Sequence, residues 1–322
     1  MRAIRVRETG GLDVLRVEPI DDPIAGPGEV VVRIEAVGVN FIEIYNRKGI
    51  YKSPLPFTPG EEGAGTVAAV GPGVTDHRIG DRVVSYNLRG SYAELAVAAA
   101  NRLIAIPDDV STHTAAAVML QGLTAHYLST SVYALQPGDT CLVHAAAGGV
   151  GLLLCQMAKR RNAIVIGTVS TEEKAALARQ AGADEVVIYT KQDFVAEVAR
   201  ITGGKLAQVV YDSVGATTFE KSLQCLAPRG MMALFGQSSG VVPPFDPLLL
   251  LRNGSLFLTR PTLAHYAATR DELVWRAGEV LGWVQDGSLD VRIDREIPLA
   301  NAAEAHRALE ARETTGKVLL VP

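Results

Sequence analysis

Cysteine is nearly missing from this chain: three residues in 322, Cys141, Cys155 and Cys225, with none ahead of Cys141. That scarcity excludes a disulfide framework and a cysteine-based metal centre, and the apolar neighbours of each thiol make buried structural cysteines the expectation. Histidine is also sparse. The six, His77, His113, His126, His144, His265 and His306, are never spaced as a ligand pair. No run of about eighteen apolar residues occurs, so no membrane-spanning helix is expected. Positive charge is not in excess either: 31 Lys and Arg against 35 Asp and Glu leave a net charge of −4. A general attraction to nucleic acid or to an anionic membrane is thereby removed, and any phosphate binding must be local. The segment Met1–Arg7 alternates like a strand and lacks the apolar core of a signal peptide, which makes the cytoplasm the expected location.

What is present is apolar and periodic. At 322 residues and 48% hydrophobic, the chain has ample material for a core and for two domains. From Met1 to about Pro107, short alternating runs (Val30–Val37, Gly65–Val70, Arg82–Tyr86, Tyr92–Val97) are separated by Gly and Pro, the pattern of a partly open, mainly antiparallel barrel. The rhythm changes near Gln121. From Leu123 to Pro261, apolar runs at Thr140–Val143, Ala163–Val169, Val186–Ile188, Ala207–Tyr211, Met231–Phe235 and Ser255–Leu258 alternate with helical stretches such as Leu152–Ala158, Lys174–Gln180 and Phe194–Ile201. Six such runs suit a doubly wound parallel sheet of α/β class. A helix near Leu273–Gln285, a strand near Ile293–Ile297, a helix at Ala302–Ala311 and a strand at Lys317–Val321 are expected to rejoin the barrel. The expected boundaries are therefore 1–121 and 265–322 for the barrel domain and 122–264 for the parallel-sheet domain.

Ala145-Ala146-Ala147-Gly148-Gly149-Val150-Gly151 lies where the first of those strands turns into a helix. Such a turn aims backbone N–H groups and the positive end of a helix dipole at one spot, which suits phosphate. Ala146-x-Gly148-x-x-Gly151 is the dinucleotide fingerprint with its first glycine replaced by alanine. A merely glycine-rich turn of some other α/β protein would carry the same bare pattern. The position about twenty residues on is Ser170, followed by Thr171, Glu172, Glu173 and Lys174. An NAD site usually places a carboxylate there for the ribose hydroxyls. Hydroxyls and an ammonium instead donate to a 2′-phosphate, which favours NADPH. Ser170 also suits the N-cap of the next helix, with Glu172 and Glu173 at its positive end and Lys174 solvated.

Taken with Gly138–Gly151, Gln156 and Lys159, these residues resemble the quinone oxidoreductase and zeta-crystallin branch of the medium-chain dehydrogenase/reductase superfamily. Gly38-Val39-Asn40-Phe41, Gly80–Val83, Gly122–Ala125, Val210–Gly215 and Thr259-Arg260-Pro261 extend the resemblance from end to end. It implies a GroES-like catalytic domain made from both chain ends, a Rossmann domain between them, bound NADPH and a homodimer. Zinc members of the superfamily carry a Cys and a Gly-His-Glu ligand motif; here the motif reads Gly60-Glu61-Glu62, so the soft ligand set is absent. Glu61 and Glu62, adjacent on a strand, point to opposite faces and do not chelate together.

Without a metal to stabilise an alkoxide, a quinone is the favoured hydride acceptor, since it is already electrophilic and its reduced oxyanion is delocalised. An α,β-unsaturated carbonyl is the runner-up, and a non-catalytic NADPH-binding sensor or RNA-binding protein is the reading from another class. The resemblance places Asn40, Phe41, Tyr45, Thr124 and Tyr127 near the nicotinamide, with Asn40 and Tyr45 as candidates for orienting the substrate oxygen or the cofactor amide. It places Ser170, Lys174 and Tyr189 around the adenine ribose, where the residue reading adds Thr171 as a donor, and Gly149 and Val150 on the far side, beside Gly148 and Gly151 of the fingerprint. Val214, Gly236, Gln237, Ser238, Ser239, Pro261, Leu263 and Arg312 complete the implied contacts. The family often reads Lys-Gly-Leu-Thr where this chain has Gln121–Thr124, and Asn-Ser-Ser-Gly where it has Gln237–Gly240, so a charged contact at Gln121 is lost. Finally, Ser255–Thr259, read as the last strand and an apolar edge, with Leu248–Leu251 before it, is expected to pair two subunits.

Overall fold

The computed structural model describes all residues, 1–322. Two compact units are formed, Met1–Leu120 with Thr269–Pro322, and Gln121–Ala268.

The first unit opens with a hairpin of β1 (Arg2–Arg5) and β2 (Arg16–Pro19), then β3 (Glu29–Val39), helix α1 (Phe41–Arg47), β4 (Glu62–Val70), β5 (Arg82–Ser85), β6 (Leu95–Ala99) and β7 (Ile104–Ala105). Helix α2 (Thr112–Tyr127) runs across the boundary and ends in a π turn, Leu128–Val132. In the second unit the chain alternates β8 (Thr140–His144), α3 (Gly149–Arg160), β9 (Ile164–Val169), α4 (Glu172–Gln180), β10 (Glu185–Ile188), α5 (Phe194–Ile201), β11 (Ala207–Asp212), α6 (Phe219–Leu223), β12 (Leu226–Leu234), α7 (Leu248–Arg252), β13 (Phe257–Thr259) and α8 (Leu263–Tyr266). The chain then returns to the first unit as α9 (Arg270–Gln285), β14 (Ile293–Pro298), α10 (Ala302–Glu310) and β15 (Lys317–Val321).

In the first unit, β3 is the organising strand. It pairs antiparallel with β4, β6 and β15, in a sheet ordered β14-β15-β3-β4-β5-β7 with β6 off that path. Only β14 against β15 runs parallel. Val30, Val32, Ile34, Val37 and Val39 of β3 join Val67, Val83, Val318 and Leu320 in one buried core. The C-terminal strand is thus built into the same sheet as the N-terminal third of the chain, as the mainly antiparallel reading required.

The second unit is a six-stranded parallel sheet ordered β10-β9-β8-β11-β12-β13. Sequence neighbours β8 and β9 diverge in one direction and β11 and β12 in the other, so the order reverses between β8 and β11. In open α/β sheets ligands bind at the carboxyl ends of the strands at this switch point. The strands are apolar on both faces (Leu142, Ile166, Val187, Val210 and Met232 are buried), as a sheet covered by helices demands. The unit runs to Ala268, and within it Tyr266 stacks on Tyr127 with centroids 4.6 Å apart and planes 6° from parallel.

Candidate active site: a dinucleotide cradle and a buried charged cluster

The glycine turn is tighter than its sequence suggested. Helix α3 begins at Gly149, not Leu152, with Gly148 as its N-cap, so Gly151 sits in the first turn. The left-handed residue is Ala145 (φ 51°), unusual for a side chain with a Cβ, and its carbonyl accepts from Gly148 N–H at 2.8 Å. A Cβ on Gly151 would lie 2.3 Å from that same carbonyl oxygen and 2.8 Å from the Ala146 backbone. Only glycine lets the helix start this close to its strand. The alanine at the first fingerprint position packs inward: Ala146 is fully buried, and a Cβ on Gly167 of β9 would meet it at 2.8 Å. A Cβ on Gly149 would strike the Gln121 amide, 2.0 Å from its Oε1. The neutral residue at this family lysine position therefore lies directly against the cradle.

At the tip of β9, Thr171 rather than Ser170 is the N-cap of α4, accepting from Lys174 N–H at 3.3 Å. Thr171 is therefore committed to the helix, which corrects the alternative reading of Ser170 as the cap. The Ser170 carbonyl accepts from Thr190 Oγ1 at 2.8 Å, while its half-buried hydroxyl has no partner in the protein. Tyr189 follows β10 and is exposed beside it, with its N–H on the Val169 carbonyl. Ser170 and Tyr189 thus follow the paired strands β9 and β10, Lys174 lies in the first turn of α4, and no carboxylate ends β9.

Two further loops are stitched together. Ser238 N–H donates to the Ser213 carbonyl at 3.1 Å, Ser239 N–H to the Val214 carbonyl at 2.8 Å, and Ser239 Oγ to that carbonyl at 2.7 Å. The Ser239 hydroxyl also accepts from Thr217 N–H, so it is spent inside the protein. A Cβ on Gly236 would fall 2.5 Å from the Ser213 carbonyl oxygen, which keeps the two loops in contact. Beneath them lies a network that sequence reasoning missed. The fully buried Asp212 carboxylate accepts from Val214 N–H (2.7 Å), Gly215 N–H (3.0 Å), Thr218 Oγ1 (2.7 Å) and Ser222 Oγ (3.4 Å). Ser222 in turn bonds His144 Nε2 at 2.9 Å, and His144 Nδ1 bonds Thr168 Oγ1 at 2.9 Å. Burial holds the His144 imidazole below its usual range, against the pull of Asp212. The neutral ring can donate from one nitrogen and accept at the other. No periodicity marks these residues, since His144, Thr168, Asp212 and Ser222 lie on four different elements.

In the same unit Thr124 and Tyr127 lie on α2 and are largely buried, Tyr127 under Tyr266. Pro261 and Leu263 are buried at the start of α8, between β13 and Tyr266. Val150, in the first turn of α3, and Gln237, in the loop after β12, are half-buried.

The remaining expected residues belong to the first unit. Phe41 and Tyr45 project from α1 with ring centroids 6.0 Å apart, and Tyr45 meets Tyr51 edge-on at 5.3 Å. Arg312 is exposed in a left-handed turn after α10. Asn40 is the N-cap of α1 and is 6% exposed. Its Nδ2 donates to the Gly38 carbonyl (3.1 Å) and to Glu62 Oε2 (3.0 Å), and its Oδ1 accepts from Lys317 Nζ (2.7 Å). Lys317 Nζ also forms a short ion pair with Glu62, and both side chains are sealed from solvent. With both amide protons engaged, Asn40 has none to offer a substrate oxygen. These bonds anchor the start of α1.

Glu43 completes this cluster by accepting from Asn40 N–H (2.8 Å) and Glu61 N–H (3.1 Å). Complete burial pushes its carboxyl up to about 8, against the pull of the Lys317 ammonium and the backbone donors. The folded state therefore keeps a proton that the unfolded chain releases near 4.5, and stability is expected to fall as pH rises from about 4.5 to 8. Glu43→Gln removes this dependence but leaves an amide nitrogen facing a donor, a loss of about 1 kcal/mol. Urea denaturation should find the variant weaker than the parent at pH 5 and stronger at pH 9, and parallel curves would refute the assignment.

At the other end of α1, the buried Arg47 donates to His306 Nδ1 (3.2 Å) and Glu310 (2.8 Å), and Tyr92 bonds His306 Nε2 (3.1 Å). Burial drives His306 down to about 3, so its ring is neutral and accepts from the guanidinium. Nowhere do three His, Cys, Asp or Glu side chains converge to hold a metal ion. The three cysteines are buried in the second unit.

Residues 26–108 match the family described as Alcohol dehydrogenase GroES-like domain, and residues 149–272 match Zinc-binding dehydrogenase. The zinc of that second description finds no fitting donor set here, given Glu61 at the ligand position. Quinone oxidoreductase of Pseudomonas aeruginosa is 46% identical over 100% of this chain and 99% of its own length. A 2-haloacrylate reductase of a Burkholderia species is 41% identical over 98% of each chain. The crystal structure of Escherichia coli quinone oxidoreductase complexed with NADPH superposes with a TM-score of 0.98 at 41% identity over 100% of both chains. The chain belongs to the quinone oxidoreductase branch of the medium-chain dehydrogenase/reductase superfamily.

Proposed function

We propose that this protein is an NADPH-dependent quinone reductase working without a metal. The observation that carries the reading is the second unit's cradle: glycines at positions 148, 149 and 151 that no other residue fits equally well, and a β9 tip ending in the Ser170 hydroxyl and Lys174 instead of a carboxylate. NADPH, when bound, supplies the hydride. Gly149, Val150 and Gly151, in the first turn of α3, offer backbone N–H groups to its pyrophosphate, Ser170, Lys174 and Tyr189 hold the 2′-phosphate, and Val214 with Gly236–Ser238 flank the far side. Within the second unit Thr124 and Leu263 are offered for the nicotinamide, and within the first unit Phe41 and Tyr45 for the acceptor. The aromatic pair on α1 suits a flat acceptor, and excluding water around it favours hydride transfer over side reactions.

Following NADPH absorbance with a panel of quinones, in the presence of a chelator, tests this reading. Turnover is expected; binding without turnover would favour a sensor instead. The likeness to 2-haloacrylate reductase favours activated alkenes as a second substrate class, so enones belong in the same panel.

Lys174→Ala is expected to weaken NADPH binding by roughly 1–3 kcal/mol, the worth of a charge-assisted hydrogen bond, and to leave NADH nearly untouched. Titrations of both cofactors decide it, and equal losses would remove the 2′-phosphate assignment.

The same reading includes a homodimer. Strand β13 is the edge of the parallel sheet, with Phe257 58% exposed and Leu251 63% exposed just ahead of it. An apolar edge with unpaired backbone groups invites a second copy of itself. Sedimentation should show a dimer at micromolar concentration and a monomer or aggregate for Phe257→Asp. A stable monomeric parent would refute the pairing.

A further inference from the structure

We infer that Lys317, on the last strand of the chain, is a positioning residue for the reaction: with Glu62 it locks the Asn40 amide and so fixes the N-terminus of α1, which presents Phe41 and Tyr45 to the acceptor. The inference rests on the quinone reductase reading.

A lysine in the final strand lies far in sequence from α1, yet β15 pairs directly with β3, setting Val318 opposite Val39 and Leu319 opposite Gly38. That register brings the Lys317 stem beside the end of β3. The room for it is made by Gly38, where a Cβ would lie 2.1 Å from Glu62 Oε2 and 2.6 Å from Lys317 Cε. Any side chain at this position would displace the ion pair.

The three polar groups form a closed triangle. Lys317 Nζ donates to Asn40 Oδ1 and to Glu62, and Asn40 Nδ2 donates to Glu62 Oε2. An amide has two faces of nearly equal shape, and only its partners decide which way it points. Here an ammonium faces the oxygen and a carboxylate faces the nitrogen, so both charges select the same orientation. In a site 0% to 6% exposed, a flipped amide would set like against like with little solvent to screen it.

The triangle ties α1 to three strands at once. Asn40 bonds the Gly38 carbonyl of β3, the Glu62 carboxylate of β4 and the Lys317 ammonium of β15, while Glu43 ties the first turn to Glu61 N–H. Phe41 is the first helical residue after the anchor, and Tyr45 follows one turn later. A buried ion pair is a poor source of net stability compared with apolar packing, so its value lies in fixing this orientation.

That distinction gives the test. Removing one charge alone leaves the other buried and unpaired, so the pair is removed together, as Lys317→Met with Glu62→Gln in the full-length protein. Three quantities are read: the melting temperature, the NADPH dissociation constant, and kcat and KM for a quinone that the parent enzyme turns over. We expect a folded protein with an NADPH constant within about twofold of the parent and kcat/KM lower by about tenfold, carried mainly by kcat, as misplacement of reacting groups predicts. A folded double variant with parental kcat and KM overturns the inference. So does a loss of activity matched by the fraction unfolded. Lys317→Gln with Glu62→Gln, which removes both charges but keeps a polar group at each position, is the second pair should the first not fold; it is expected to retain more kcat than the first pair, and parental kcat in it also overturns the inference. Absence of quinone turnover by the parent protein would instead remove the functional reading itself.

Discussion

Gly151→Ala is expected to lower NADPH affinity by about 100-fold, or about 2.7 kcal/mol, and to reduce the melting temperature by several degrees. Its new Cβ would lie 2.3 Å from the Ala145 carbonyl oxygen and 2.8 Å from the Ala146 backbone, and neither is the end of a flexible side chain that can swing aside. The helix must retreat from the turn, which carries the N–H groups away from the phosphate position. Its neighbours supply a graded control. At Gly149 the obstructing group is the Gln121 amide, which can move, and at Gly148 the nearest atom is 3.1 Å away. Titration with NADPH should therefore rank the alanine variants with 148 mildest and 151 most severe. Parental affinity in Gly151→Ala would refute the tight-turn account.

The second large effect is expected at Asp212. Asp212→Ala strands the Val214 and Gly215 N–H groups beneath the loop pair and removes the partner of Thr218 and Ser222. Two unpaired donors at about 1–3 kcal/mol each amount to a loss of about 2–6 kcal/mol. NADPH affinity should fall as well, because the Ser213–Gly215 loop holds the Gly236–Ser239 loop through the Ser238 and Ser239 N–H groups. Asp212→Asn is expected to be far milder: its oxygen can keep both backbone donors while the Thr218 and Ser222 hydroxyls turn to accept from its amide. Urea denaturation and NADPH titration of the two variants check this, and equal damage in both would show that charge rather than hydrogen-bond geometry holds the loop.

Most of the architecture was legible because it is local or periodic. The apolar runs from Thr140 to Leu258 became the six parallel strands, and the Gly-punctuated runs before Pro107 became the antiparallel sheet around β3. Segment ends were less legible. Helix α3 starts three residues early by that reading because glycine carries a poor helix propensity, yet here close packing requires it inside the first turn. The cap of α4 moved from Ser170 to Thr171 for a similar reason: both hydroxyls suit a cap, and only the path of the chain chooses.

The sequence by itself determined the class of fold, the place of the dinucleotide turn, the missing zinc ligands and the hydroxyl in place of a carboxylate at the tip of β9, since each is written in a few adjacent residues. Tertiary structure alone decided which polar residues work together. Lys317 reaches Asn40 and Glu62 only through the pairing of β15 with β3, and His144 reaches Asp212 only through Ser222 of α6. Those partners lie on separate elements, and a buried hydrogen bond leaves no period in the sequence. The physical reason is that local propensity and hydrophobic alternation act over a few residues, whereas the desolvation that forces buried polar groups to find partners acts over whatever the packed sheet brings together.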